Sequence, residues 1–244
     1  MNCTYCMSDV HGHAEAFAEI LKMTRMDLKS DRLYCLGDYA DWGPEGVAVI
    51  RLVMHLSEQG SVIPLIGNHD LMFLECIRDN PGEKPMTERE AQRSPDRSWL
   101  IDNRGLDTWN RYCGLETAER KRIERWLDIL PYRVDITVQG KRYHLCHSFP
   151  SEIVPRKKPR FSQLRYEAVW ERENDYLLCT DDISGTVIHG HTINEKIRNG
   201  HIAVEMHGQE IDIDCGAKIL GMEDGACLAC LRLEDMKVFY AVMT

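Results

Sequence analysis

No run in this 244-residue chain approaches the roughly 20 consecutive apolar residues that a membrane-crossing helix requires. Positive charge is also scarce. Thirty Lys and Arg stand against 39 Asp and Glu, a formal net charge of −9. That balance excludes a nucleic-acid binder working through a broad basic surface, and it offers no attraction to an anionic membrane. A leader pattern is missing as well: Met1–Met7 is short, has no basic flank and runs straight into Ser8-Asp9. Short solenoid repeats and low-complexity stretches are absent. The expectation is a cytoplasmic protein with neither a nucleic-acid nor a membrane partner.

Ten cysteines are present, but their placement argues against disulfides or zinc. Cys6, Cys35, Cys146 and Cys227 lie inside short apolar runs, where cysteine acts as a small hydrophobe. Cys3/Cys6 and Cys227/Cys230 have the Cys-x-x-Cys spacing, yet neither a His pair nor a redox helix follows. Buried strand cysteines in a reducing compartment are the better reading. A composition of 43% hydrophobic and 28% charged residues excludes dominant disorder and allows a sizeable core. The length suits one domain over residues 1–244, with a polar helical and loop excursion at about 79–130.

The first third repeats one pattern three times. Tyr5–Met7 ends at Ser8-Asp9-Val10-His11-Gly12, and a helix follows with Ala14, Phe17, Ile20 and Leu21 on one face. Leu33–Leu36 ends at Gly37-Asp38, then Pro44 opens a helix carrying Val47, Ile50, Val53 and Met54, with Gly60 as its stop. Val62–Ile66 ends at Gly67-Asn68-His69-Asp70. Strand, loop and helix in repetition mean βαβ units and a parallel sheet, whose ligands bind at the carboxyl ends of the strands. All three polar clusters lie at such ends. Residues 79–98 read as a mobile polar excursion, and 115–130 as a helix ended by Pro131. Beyond it the chain turns strand-rich. A hairpin is expected around Gln139-Gly140-Lys141, a helix through Trp170 and Arg172, and strands over 186–189, 201–206, 209–214, 226–233 and 236–243.

Taken as a set, the strand-end residues are metal-ligand types. Asp9 with His11, Asp38 with Asp41, Asn68-His69-Asp70, His147 and His191 supply carboxylate and imidazole donors for two divalent ions. This mixture suits Mn, Fe or Zn better than Mg or Ca. Two such ions can activate a water for in-line attack on phosphorus, while a further His protonates the leaving oxygen.

In their order and spacing, Ser8-Asp9-Val10-His11-Gly12, Gly37-Asp38-Tyr39-Ala40-Asp41, Gly67-Asn68-His69-Asp70, His147 and Gly190-His191-Thr192 resemble the motif series of the calcineurin-like metallophosphoesterases, in the phosphoprotein phosphatase branch. The resemblance implies an α/β fold of two packed mixed β-sheets flanked by helices, a four-layer αββα arrangement. It implies that Asp9 and His11 hold one metal, that Asp38 bridges, and that Asn68, His147 and His191 complete the second. His69 would be the general acid and Asp41 its orienting partner. Arg172, in Trp170-Glu171-Arg172-Glu173, resembles a phosphate-gripping arginine, and Asn68 would also face the substrate. The cofactors expected are two divalent ions, Mn first, with Fe or Zn also suited.

Three details refine the resemblance. Position 193 is Ile, so the Gly-His-x-His form of the wider metallophosphoesterases is lacking, as in the protein-phosphatase and dinucleoside-tetraphosphatase branch. Asp70 stands where eukaryotic protein phosphatases carry Glu. Trp42 stands where the family has an arginine, whose bidentate grip on phosphate an indole cannot reproduce. Trp42 reads as a packing residue, with stacking on a nucleobase as the other use of its ring. The function implied is a metal-dependent phosphomonoesterase acting on a phosphorylated protein or small phosphoester. The alternatives are a symmetrical dinucleoside tetraphosphatase and a non-catalytic scaffold of the same fold.

Overall fold

The computed structural model of the protein describes residues 2–148, 169–171 and 184–242. Its first half follows the expected alternation: β1 (Thr4–Met7), α1 (Ala14–Thr24), β2 (Arg32–Cys35), α2 (Gly46–Glu58), β3 (Val62–Pro64) and α3 (Asn68–Asp79). The three strands pair in parallel, with Cys6 opposite Tyr34 and Tyr34 opposite Ile63. One boundary differs. α2 begins at Gly46 rather than Pro44, because the Glu45 N–H donates to Gly12 O at 3.0 Å and Glu45 itself is not helical (φ −126°, ψ 34°).

Residues 79–98 prove pinned rather than mobile. Thr87 caps the short α4 (Glu88–Ala91) and receives the Glu90 carboxylate in return. Asn110 clamps both Met86 N and Met86 O, and the Trp109 indole donates to Lys84 O at 2.9 Å. A π turn at Ser98–Asp102 leads into α5 (Leu106–Cys113) and α6 (Thr117–Ile129). The polar composition of this stretch is therefore spent on fixed hydrogen bonds, and its aromatics on packing. Phe73 of α3 stacks on Trp99 at 5.3 Å and meets Tyr112 edge-on at 5.1 Å.

The second half builds the hairpin β4 (Arg133–Val138) and β5 (Lys141–Cys146), then β6 (Thr186–His189), the small pair β7 (Ile197–Arg198) and β8 (His201–Ile202), β9 (Glu205–His207) and β10 (Glu210–Asp212). Strands β11 (Leu228–Arg232) and β12 (Lys237–Ala241) return to the first sheet. The expected strand at 201–206 is thus divided between β8 and β9. Sheet orders are β12-β11-β1-β2-β3 and β4-β5-β6-β10-β9, both mixed. Of the expected helix through Arg172, only Val169 and Trp170 are described as helical; Arg172 and the basic loop 156–160 lie outside the described residues.

Alternate residues of the central strands serve two cores. Tyr5 and Met7 of β1, and Leu228 and Cys230 of β11, pack under the helices with Phe17, Ile50, Phe73 and Trp109. Cys6, Ala229 and Leu231 point the other way, against Leu145, Ile188 and Ile211 of the second sheet. Two packed mixed sheets flanked by helices result, and the period-2 alternation of strand side chains fills both interfaces. Cys6 and Cys230 on these strands, and Cys227 just before β11, are fully buried free thiols, as their apolar neighbours imply. No helix among the described residues is long and apolar enough to cross a membrane.

Replacing Phe73, which is fully buried between Trp99 and Tyr112, tests this packing. Phe73→Ala should cost about 3–5 kcal/mol in urea unfolding; a loss below ~1 kcal/mol would show that α3 is not packed as described.

Candidate active site

The polar strand ends converge where the two sheets meet. Asp9 and His11 follow β1, Asp38 and Asp41 follow β2, and Asn68 and His69 open α3. His147 and His191 follow β5 and β6 of the second sheet. The loops are backbone-strained. Asp9, His11, Asp38, Asp41, Trp42 and His191 all have φ between 45° and 72°, a region that non-glycine residues seldom occupy. Such outliers persist only where surroundings over-determine them, and they gather at functional sites. Here hydrogen bonds lace the loops together: Asp9 N to Gly37 O, His11 N to Asp38 O, and His191 N to Asp9 Oδ2 at 3.1 Å. Glycine is required at two crossings, since a Cβ on Gly67 would overlap the Asp38 carboxylate and one on Gly190 the Asp9 carboxylate.

Asp38 is central. Its Oδ2 lies 3.6 Å from His11 Nε2 and 3.5 Å from His147 Nε2, while Oδ1 accepts the His69 N–H at 2.9 Å. Asp9 Oδ1 is 3.8 Å from His11 Nε2. The Asn68 amide oxygen lies 2.9 Å from both His147 Nε2 and His191 Nδ1. The tautomers follow from the other ring nitrogens. His11 Nδ1–H donates to Ala40 O and His147 Nδ1–H to Leu36 O, so each Nε2 lone pair faces the carboxylates.

Lone pairs facing lone pairs in a buried site repel unless a cation stands between them. Burial pushes the Asp38 carboxyl well above its ordinary range, and the neighbouring charges of Asp9 and Asp70 push it further. Burial lifts Asp9 to about 6. It also holds His147 down to about 3 and depresses His11 and His69, keeping all three imidazoles neutral. Neutral imidazoles and crowded carboxylates fit divalent metal ions. Two sets of donor atoms, from His11, Asp38 and His69 and from Asp9, Asp38 and His147, each lie within 4.8 Å of one another and share Asp38.

His69 and Asp41 form a pair beside these donors, His69 Nδ1–H donating to Asp41 Oδ2 at 2.7 Å. Two further donors fix the same carboxylate: Trp99 Nε1–H at 2.6 Å and Thr108 Oγ1–H at 2.7 Å. Burial raises Asp41 to about 7 against the pull of these bonds. Neither Trp99 nor Thr108 belongs to any of the sequence motifs, yet both orient Asp41. Asp70, weighed there only as a family hint, joins the loops after β2 and β3 by accepting from Asp38 N, Tyr39 N and Gly67 N. His189, the last residue of β6, is buried and bonded to Glu210 Oε1 at 2.8 Å. Burial opposes its protonation, but Asp212 and Glu210 lift it to about 9. Trp170 meets the His191 ring edge-on at 6.3 Å, while the Arg172 assignment lies outside the described residues. The Trp42 ring is engaged by two cations, Arg104 and Lys218. A separate apolar concavity of about 780 Å³, lined by Met54, Val62, Trp126 and Ile129, contains none of these groups.

Similarity to known proteins agrees with this geometry. A symmetrical bis(5'-nucleosyl)-tetraphosphatase of Nitrosospira multiformis is 33% identical, over 96% of this chain and 94% of the relative. Among solved structures, a cold-active protein-tyrosine phosphatase of a psychrophilic Shewanella superposes with a TM-score of 0.60 at 17% identity, covering 99% of this chain and 80% of that one. A metallophosphoesterase of Sphaerobacter thermophilus does so with a TM-score of 0.57 at 20% identity, covering 99% and 88%. At such identities these two speak for the fold alone. Residues 4–195 match the family described as calcineurin-like phosphoesterases, and with that match the chain belongs to this family of metal-dependent hydrolases.

Proposed function

We propose that the protein hydrolyses symmetrical dinucleoside tetraphosphates, with Asp9, His11 and Asp38 holding one divalent ion and Asp38, Asn68, His147 and His191 the other. The observation that carries the metal reading is the convergence of two neutral imidazole Nε2 atoms on one buried carboxylate, Asp38. The substrate reading rests on the full-length relative from Nitrosospira, and it moves the expectation from a phosphomonoester to a phosphoanhydride. Mn suits this donor set best of the candidates, with Fe or Zn also fitting. Buried free thiols on the strands suit a reducing, cytosolic setting.

When bound, the ions would supply an activated water and an electrophilic clamp on the phosphoryl oxygens. At rest His69 is neutral with its proton on Nδ1; once a second proton from solvent has been taken up at Nε2, the ring would give that proton to the leaving oxygen. Asp41 holds the ring through Nδ1 and stabilises the imidazolium from which that proton is given. Trp99 and Thr108 keep the Asp41 carboxylate in the one rotamer that reaches His69. Asn68 sits between the two histidines of the second sheet, and by the motif resemblance it would also face the substrate. Arg172 is assigned a phosphate contact by its motif alone.

Two measurements test this. Metal-stripped protein reloaded with Mn²⁺ should release product from diadenosine tetraphosphate with a higher kcat/KM than from p-nitrophenyl phosphate. The reverse ratio would return the assignment to a phosphomonoesterase, and turnover of neither with two metals bound would favour a scaffold. His69→Ala should lower kcat by roughly 10²–10⁴-fold with metal content intact, whereas Asp38→Ala should lose both metal and turnover. Full activity in His69→Ala would sink the proton-delivery role.

A further inference from the structure

Two cations stand beside Asp41 without an acidic partner among the described residues. The Arg104 guanidinium carbon and Lys218 Nζ each lie 4.4 Å from the centroid of the Trp42 ring. Among the described residues neither forms an ion pair; Arg104 makes one further polar contact, Nη1 to Met222 Sδ at 3.7 Å. The Trp42 indole N–H is itself buried and has no acceptor among the described residues. Two cations thus share one ring without an ion-pair partner among the described residues, in a chain with an excess of nine negative charges. A buried indole N–H normally finds a partner, so that of Trp42 calls for an explanation, while the exposed Arg104 and half-buried Lys218 are open to an anion from solvent.

The local structure sets this group beside Asp41. Trp42 follows Asp41 directly, and its positive φ of 65° continues the strained turn that presents Asp41 to His69. Lys218 follows Gly216, whose φ of 81° and N–H bond to Asp214 Oδ1 set the turn after β10. Its ammonium lies 4.4 Å from the ring of the residue next to Asp41, and its charge draws the Asp9 and Asp41 carboxyls down and opposes protonation of His69. Arg104 arrives from the turn after Trp99, closed by Gly105 N to Trp99 O at 3.0 Å. A Cβ at Gly105 would overlap the Trp99 ring, so this turn cannot drift without disturbing the indole that holds Asp41.

We propose that Trp42, Lys218 and Arg104 form an anion grip for substrate phosphoryl oxygens, with the indole as a shelf for two cations rather than a platform for a nucleobase. The proposal rests on the reading of the site as a phosphate hydrolase. The position next to Asp41 need not carry a guanidinium of its own, because its ring carries two cations supplied by distant segments. Lysine contributes a mobile point charge and arginine a planar fork, a pair suited to a chain of phosphates with several anionic oxygens. The rival reading is a surface clamp in which the two cations serve packing alone. It predicts changes in stability when they are removed, and none in anion affinity.

The test is titration calorimetry of inorganic phosphate into Mn²⁺-loaded full-length protein, with metal content and thermal midpoint measured for each variant. Lys218→Met should weaken phosphate binding by about tenfold or more, the scale of a hydrogen bond to a charged group, with two metals retained and the midpoint unchanged. Lys218→Arg should restore most of the affinity, and Lys218→Met combined with Arg104→Met should weaken binding further. For diadenosine tetraphosphate the loss should appear in KM more than in kcat. Wild-type affinity in the double variant, with the parent protein binding phosphate and turning over substrate, overturns the grip alone. A metal-loaded parent that neither binds phosphate nor hydrolyses either substrate overturns the hydrolase reading and the grip together.

Discussion

Asp38 stands at the seam between the two sheets, with an imidazole from the first sheet on one side and one from the second on the other. A carboxylate that deep in the protein, with Asp9 and Asp70 also buried nearby, is tolerable only if cations or many N–H groups face it. Both solutions are used. Asp70 is satisfied by three backbone amides, while Asp38 and Asp9 keep oxygens turned toward unprotonated histidines. The loops that produce this arrangement take left-handed backbone conformations one after another, and the hydrogen bonds between loops outweigh the local cost. The two-sheet packing therefore does more than bury apolar surface. It holds the halves of one charged cluster in register.

Much of this was legible in the sequence, because each apolar run of the first half ends at a chemically distinctive cluster. The strand ends carrying Asp9, Asp38, Asn68, His147 and His191 are brought together as their placement implied. What stayed hidden depends on contacts between segments far apart in the chain. Trp99 and Thr108 bond to an aspartate 58 and 67 residues away, and nothing in their immediate surroundings marks them out. Lys218 lies in no motif at all. The polar composition of 79–98 suggested mobility because composition does not reveal that Asn110 and Trp109 will supply its partners.

The substrate was the least legible part. A fold shared by phosphatases of several kinds does not select among their substrates; the structures that superpose on this chain at 17% and 20% identity illustrate the point. The full-length likeness to a tetraphosphatase carries the choice instead. Trp42 gains a different meaning from its surroundings. Read alone, it is an arginine lost; read with its neighbours, it is a surface on which two other cations rest.

The stretch from Trp99 to Thr108 holds Asp41, the partner of His69, at two points and delivers Arg104 to the Trp42 ring. It belongs to the helical excursion, not to either sheet. Changes in that excursion thus reach both the proposed proton delivery and the proposed anion grip, without altering any of the candidate metal-binding side chains. Divergence of substrate preference in such a chain can proceed through an appendage while the strand ends stay as they are. The excursion is the adjustable part of a site whose remaining members are locked to one another.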